Sequence, residues 1–414
     1  MHRTLRVFEH RKLHVAPDGL SQHEFDTLVQ FNDRHEGQFF EIGHKHVKAR
    51  HFVGYVQVGA LSIEILPKAD RTDASSTEVW SNALLEMLRV ALGLRLNQLP
   101  GASQQVTRSR LLDLIAQAYV AELAPLLREG LAKGYRTTSA NGTVFKGRLK
   151  ITPHLRDNIA HADRFFVEFE TFDQDILVNR VLAAALDALS WSALSDGVAR
   201  SVDACLSQFP ELDHRGVTHE SFERIRLTRA TQRYASALTY ARLILSHRGP
   251  QLRAGRERVF ALLFDMNALW ERYIAVLLRR VAPVHVHVCT QERHVFWEPA
   301  QHGVRKIRPD VVLRAATEMR RTLLVIDTKW KVPSNGLPSD DDLKQMFVYN
   351  ELLEGARSML LYPRTVKSFP SSGAYASRDH TCEQRHIGLF AGTQWSTAAI
   401  REQLRDLLVA AIPQ

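Results

Sequence analysis

Cysteine is scarce in this sequence: Cys205, Cys289 and Cys382 are the only three in 414 residues. Odd in number and far apart, they supply neither a disulfide framework nor a Cys-x-x-Cys zinc site, and reduced thiols are the expected state. Long apolar runs are missing as well. Even the greasy stretch from Tyr273 to Leu278 runs into Arg279 and Arg280, well short of the roughly 18 uninterrupted apolar residues of a membrane span. A spanning protein and a membrane partner are therefore not expected. The first residues, MHRTLRVFEHRKLHV, lack the apolar core and small-residue cleavage site of a secretory signal, so a cytoplasmic location is the default. No Gly-x-x-x-x-Gly-Lys-Ser/Thr loop occurs, which means that any nucleotide hydrolysis has to come from another chain. Internal repeats and low-complexity tracts are also absent.

What is present is ordinary globular material, with 45% hydrophobic and 24% charged residues. The length suits two or three domains. Basic residues outnumber acidic ones, 54 to 45, for a net charge of +9. Such an excess favours polyanionic partners, because each Lys or Arg placed at a phosphate releases condensed counterions.

Strand-like alternation at 51–58 and 61–66, joined by Gly59 and Ala60 and stopped by Pro67, predicts a hairpin. Helical spacing follows at 79–92 and 111–123, with a break at 96–103. A basic, turn-rich stretch covers 133–148, and Asn141-Gly142 marks an expected hairpin tip. Helices are expected again at 175–194 and 228–246, with a linker at 246–255. Beyond it the pattern reads as a long helix at 257–280, strands at 284–288, 310–314 and 322–329, a helix at 341–353 and a strand at 358–361. The chain is thus expected to be a mixed α+β protein. Its parts would be a β-rich and helical N-terminal domain (1–165), a helical connector (166–250) and a C-terminal α/β domain (251–414).

The chemistry-bearing constellation lies in that last part. Arg308-Pro309-Asp310 opens one strand, and the next ends an apolar run with Asp327, Thr328 and Lys329. Residues two apart in a strand leave the same face, so the Asp327 carboxylate and the Lys329 ammonium stand together. Asp310 brings a second carboxylate if the two strands pair. Two converging carboxylates are hard oxygen ligands suited to magnesium, and a lysine beside them can steady developing phosphoryl charge. An acid at the end of a uniformly apolar strand needs a reason. Gln345 and Tyr349, four apart, share a helix face that could turn to the same centre, or Tyr349 could simply be buried in the core. Glu271, on the long helix between Trp270 and Tyr273, could reach the metal or could pair with a neighbouring arginine.

Two other groups admit a functional reading. His285, His287 and Cys289 share one strand face, but no fourth ligand is near, and a half-buried strand accounts for them. Arg224, Arg226, Arg229 and Arg233 with Tyr234 could track a phosphate backbone or a ring-shaped partner, or could form a solvated helix face.

The Pro309-Asp310, Asp327-Thr328-Lys329, Gln345 and Tyr349 set resembles the PD-(D/E)xK nuclease superfamily. Taken with LSIEILPK at 61–68, Lys146-Gly147-Arg148, Asn179, the 264–273 stretch and LLYP at 360–363, the chain is similar to the McrC family. That family supplies the nuclease subunit of the McrBC modified-cytosine restriction system. The resemblance spans about residues 40 to 365. It implies a PD-(D/E)xK α/β nuclease domain, with Asp310 and Asp327 as magnesium ligands, Lys329 as catalytic lysine and Gln345 and Tyr349 as accessory residues. It further implies double-stranded DNA as substrate and a hexameric AAA+ GTPase of the McrB type as partner, bound through the N-terminal half. Two function classes follow: a metal-dependent endonuclease subunit for 5-methylcytosine DNA, or a module that mainly activates the AAA+ ring.

Overall fold

A computed structural model describes residues 3–68, 77–95, 111–213, 216–229, 231–246, 259–299, 303–317, 321–333, 335–354, 357–365, 369–376 and 378–412. The expected break at 96–103 and the expected linker from 247 onward lie outside these residues. The chain starts with β1 (Arg3–Phe8), β2 (Lys12–His14) and helix α1 (Gln22–Arg34). Ser21 Oγ accepts from the Glu24 amide while Glu24 Oε2 accepts from the Ser21 amide, a capping box that starts α1 where it does. Strands β3 (Phe40–Gly43) and β4 (His46–Ala49) complete a small antiparallel sheet with β2. The expected hairpin is present as β5 (Phe52–Val58) and β6 (Leu61–Leu66), antiparallel with Val58 opposite Leu61. Helix α2 (Thr77–Leu92) follows.

The middle of the chain holds α3 (Leu111–Arg128), β7 (Gly134–Gly142), β8 (Arg148–Leu149), α4 (Ile151–Asn158) and β9 (Phe165–Asp173). It continues with α5 (Leu177–Ser190), α6 (Asp196–Leu206), α7 (His219–Arg224) and α8 (Ala235–Leu245). No tight hairpin forms at Asn141-Gly142. Strand β7 ends there, and both β7 and β8 pair with β9, so Gly142 faces Phe165. The Asn-Gly pair was read as a turn, but the Asn141 amide exchanges hydrogen bonds with Asn158 at 2.8 and 2.9 Å instead. Glycine is required at Gly147, where φ is +70° and an added Cβ would lie 2.3 Å from the Glu168 carbonyl oxygen.

The return segment begins with β10 (Val259–Asp265), not with a helix as expected. Helix α9 (Met266–Val281) starts only where the Asp265 side chain accepts from the Asn267 and Ala268 amides. A short apolar run fits a buried strand and a buried helix equally well, and sheet pairing decided the matter. Then come β11 (Val286–Thr290), β12 (His294–Trp297), β13 (Arg305–Ile307), β14 (Val311–Ala315), β15 (Thr322–Thr328), α10 (Asp340–Leu352) and β16 (Arg357–Pro363). The chain ends through β17 (Ser371–Ala374), β18 (Thr381–Ile387), the short pair β19 (Phe390–Ala391) and β20 (Gln394–Trp395), and α11 (Thr397–Ala411).

Two compact units result: Met1–Arg95 with Leu263–Gln414, and Leu96–Leu262. The three consecutive segments expected at 1–165, 166–250 and 251–414 differ from this division. In the first unit, β1 runs parallel to β6, β6 pairs with β5, and β10 lies beside β5, so both edges of the hairpin are covered and every residue of its two strands is buried. Its second sheet has the order β11-β14-β15-β16-β18-β17, antiparallel on the β11 side and parallel through β15, β16 and β18. Helix α10 is the crossover between the parallel strands β15 and β16, as such a connection requires. It closes a core of Val312, Val325, Met346, Tyr349, Leu360 and Tyr362. Helix α9 packs against β15, α2 and α11. In the second unit, α5 packs against α6 and α8, α3 packs against the same two helices, and α4 packs on β9 of the β7-β9-β8 sheet. The protein is mixed α+β, as expected. Among the described residues no helix is long and apolar enough to cross a membrane.

Candidate active site

The register of the large sheet assembles the site. Val311 pairs with Ile326, which sets Asp310 across the ladder from Asp327 at the strand ends. Asp310 Oδ2 accepts from the Thr328 amide at 2.7 Å and from the Thr328 hydroxyl at 2.8 Å. Asp327 is 1% exposed, and its Oδ2 lies 2.7 Å from the Lys329 ammonium without an aligned hydrogen bond. Lys329 Nζ donates to Gln345 Oε1 at 2.8 Å. Gln345 Nε2 reaches Asp327 Oδ1 at 3.4 Å and Tyr349 Oη at 2.6 Å, and the Tyr349 hydroxyl donates to the Arg308 carbonyl at 3.3 Å. Asp310, Asp327, Lys329, Gln345 and Tyr349 are thus brought together in one hydrogen-bonded group. Tyr349 fills both roles open to it, lying in the core with its hydroxyl in the site.

Burial and mutual repulsion push both central carboxyls above the ordinary carboxylate range. For Asp310 the causes are burial and then Glu271; for Asp327 they are burial and then Asp310. Burial works against the Lys329 charge, but Asp327 and Asp342 outweigh it and the net shift is upward. Burial raises the Tyr349 hydroxyl to about 12, so it stays a donor. Glu271 is within electrostatic reach of Asp327 and Arg308, burial raises its pKa, and Gln291 donates to its Oε1. Among the described residues no ion pair between Glu271 and Arg272 forms. Asp310, Asp327 and Glu271 gather negative charge, although among the described residues no three His, Cys, Asp or Glu side chains already stand as a metal cage.

Several residues of this centre were not found from sequence. Asp342, on the first turn of α10, holds Lys331 Nζ at 2.7 Å and accepts from the Tyr362 hydroxyl at 3.2 Å. Its one sequence signal is a place in the triple acid Asp340-Asp341-Asp342 behind the cap Ser339, which reads as ordinary helix-start chemistry. Trp330, next to Lys329, is anchored by an indole N–H donated to Glu9 Oε1 at 2.8 Å and by ring contacts with Trp80 and Trp270. Glu9 accepts a second bond from the Lys68 amide at 2.9 Å. No local pattern ties residue 9 to residue 330.

Among the described residues the His287 and Cys289 pair is in contact, Nδ1 to Sγ 3.2 Å, without further ligands. Tyr234 is buried, accepting from the Ala132 amide, and Arg233 pairs with Glu129, while Arg224, Arg226 and Arg229 are exposed. Asn179 donates to the Ala132 and Gln174 carbonyls. Lys146 lies over the Phe169 ring.

A family profile described as "McrBC 5-methylcytosine restriction system component" matches residues 47–363. No curated protein sequence matches. Among solved structures, the chain is similar to one in the refined half-complex from the tetradecameric assembly of Thermococcus gammatolerans McrB AAA+ hexamers with bound McrC. There the TM-score is 0.67 at 20% identity, over 99% of this chain and 100% of that one. It also matches a chain of the cryo-EM structure of the T. gammatolerans McrBC complex, with a TM-score of 0.47 at 20% identity over 68% of this chain and 88% of that one.

Proposed function

Because the chain belongs to the McrBC family of 5-methylcytosine restriction system components, we propose that it is the nuclease subunit of such a system. It would hydrolyse DNA phosphodiester bonds with magnesium and work with an McrB-like hexameric AAA+ GTPase. The observation that carries this reading is the meeting of Asp310, Asp327, Lys329 and Gln345 at adjacent strand ends. A lysine paired with a buried acid at the end of a central strand has no packing rationale, because burying charge is costly without a compensating role.

The donor set fits a hard divalent cation: two buried carboxyls with raised pKa values, one of them with an oxygen that lacks an aligned donor. Asp310 and Asp327 would hold it, with Glu271 the further acid at hand. When bound, such a cation neutralises phosphate charge and lowers the pKa of a water. Thr328 fixes the orientation of Asp310. Gln345 holds the Lys329 ammonium and Tyr349 holds Gln345, while Asp327 and Asp342 keep the lysine charged where negative charge builds up on a scissile phosphate. The chain's basic excess supplies sequence-independent phosphate contacts. The T. gammatolerans assembly has McrC bound to McrB AAA+ hexamers; an equivalent ring would supply the GTPase motor this sequence lacks.

The test is double-strand cleavage of a 5-methylcytosine plasmid by the chain with an McrB-like partner, GTP and magnesium. Asp327→Ala and Lys329→Ala are each expected to slow cleavage by at least about 100-fold while leaving GTPase stimulation within about twofold. Cleavage by Asp327→Ala at the wild-type rate would refute the site. Robust cleavage without the partner would favour a free-standing nuclease, and GTPase stimulation with no cleavage by the wild type would favour a ring activator.

A further inference from the structure

Lys329 has two carboxylates within reach. Its Nζ lies 2.7 Å from Asp327 Oδ2 and 3.6 Å from Asp342 Oδ1, and it donates to Gln345 Oε1 between them. Asp342 is 5% exposed, and its amide donates to Ser339 Oγ. Its Oδ2 is occupied by Lys331 and the Tyr362 hydroxyl, which leaves Oδ1 turned to Lys329. Burial alone would favour the neutral acid, but Lys331, Ser339 and Lys329 outweigh it, and Asp342 is held as a carboxylate.

A divalent cation at Asp327, as in the function proposed above, would compete with Lys329 for the same oxygen. Displaced with no other counter-charge, the half-buried ammonium would resist cation entry, because an unpaired buried charge is strongly disfavoured. We propose that Asp342 is a positioning residue that receives Lys329 when a cation occupies Asp327. The lysine exchanges one carboxylate for the other, keeps Gln345, and remains charged beside the site. Lys331 and Tyr362 hold Asp342 in place for this exchange.

Calorimetric titration of the full-length chain with Mg2+, and separately with Mn2+, tests this without any cleavage readout. Asp342→Asn is expected to weaken cation binding about tenfold, which corresponds to about 1.4 kcal/mol, because Lys329 then has no second partner. Lys329→Met, which removes the competitor, is expected to tighten it. In the Lys329→Met background, adding Asp342→Asn is expected to change the affinity by less than about twofold. An equal weakening with and without Lys329 would show that Asp342 merely braces α10 or adds charge, and would overturn the proposal, as would no weakening at all. Asp342→Ser is carried through the same cycle should Asp342→Asn not fold. Asp327→Ala separates the two levels of the argument. If it binds cation like the wild type, the cation site and this inference both fail; if it abolishes binding while the Asp342 cycle gives the wrong pattern, only this inference fails.

Discussion

The two compact units are made differently from the chain. The second is one continuous stretch, Leu96–Leu262, whereas the first joins Met1–Arg95 to Leu263–Gln414. Their sheets differ in the same way. In the second unit, β7 alternates half-buried and exposed residues along its whole length, and hydrophobic side chains such as Tyr135, Phe145 and Phe172 remain exposed. In the first, β15 and β16 are buried almost throughout. The buried acids divide accordingly: among the described residues, Glu9, Glu64, Asp327, Asp342 and Glu383 lie in the first unit and only Asp113 in the second. Buried carboxylates are rare because desolvating them is costly, and those of the first unit have partners: Glu64 pairs with Arg6 and Glu383 with Arg357 and Arg385, while Asp327 and Asp342 face Lys329.

The strongest way to break this contrast is to cut the chain between the units' sequence segments. A chain ending at residue 250 loses β10, which edges the β5 side of the first sheet, and α9, which covers α2. Residues 3–95 of that fragment are expected to be digested by protease within minutes, with a resistant core left inside 111–246. Protection of 3–95 equal to that in the full chain would erase the distinction.

Glu9 sharpens it at intermediate scale. Burial raises this carboxyl to about 7 from an ordinary 4.5, against the pull of its bonds from Lys68 and Trp330. The folded state therefore binds the Glu9 proton more tightly than the unfolded chain does. The stability this confers is complete below about pH 4.5 and is lost as pH rises through about 7. Glu9→Gln is expected to match wild type near pH 4.5 and to exceed it by on the order of 2–3 kcal/mol at pH 8 in denaturant unfolding. A constant difference across that range would show that Glu9 is not the titrating group.

The smallest effect belongs to the second unit's surface. Ile159 is 85% exposed, and Ile159→Ser is expected to shift stability by less than about 0.5 kcal/mol. A larger loss, read from the same unfolding curves, would mean that this surface is packed in the folded protein.

Sequence alone determined the local matters. Alternation found β5 and β6, helical spacing found α2, α3 and α5, and the apolar run ending in Asp327-Thr328-Lys329 found the centre of the site, because each signal lies within a few consecutive residues. Periodicity reports which face of an element is apolar but not what covers it. It therefore could not say that β10 is a strand, that residues 1–95 share a unit with 263–414, or that Glu9 holds Trp330 beside Lys329. Asp342 was hidden for a related reason: as a helix-start acid it looks like its neighbours Asp340 and Asp341, and only the close approach of α10 to the ends of β15 and β16 sets it against Lys329, Lys331 and Tyr362. Such pairings are long-range contacts, decided by the packing of whole elements, where the free energy of burying their faces selects one arrangement among many that the local pattern allows.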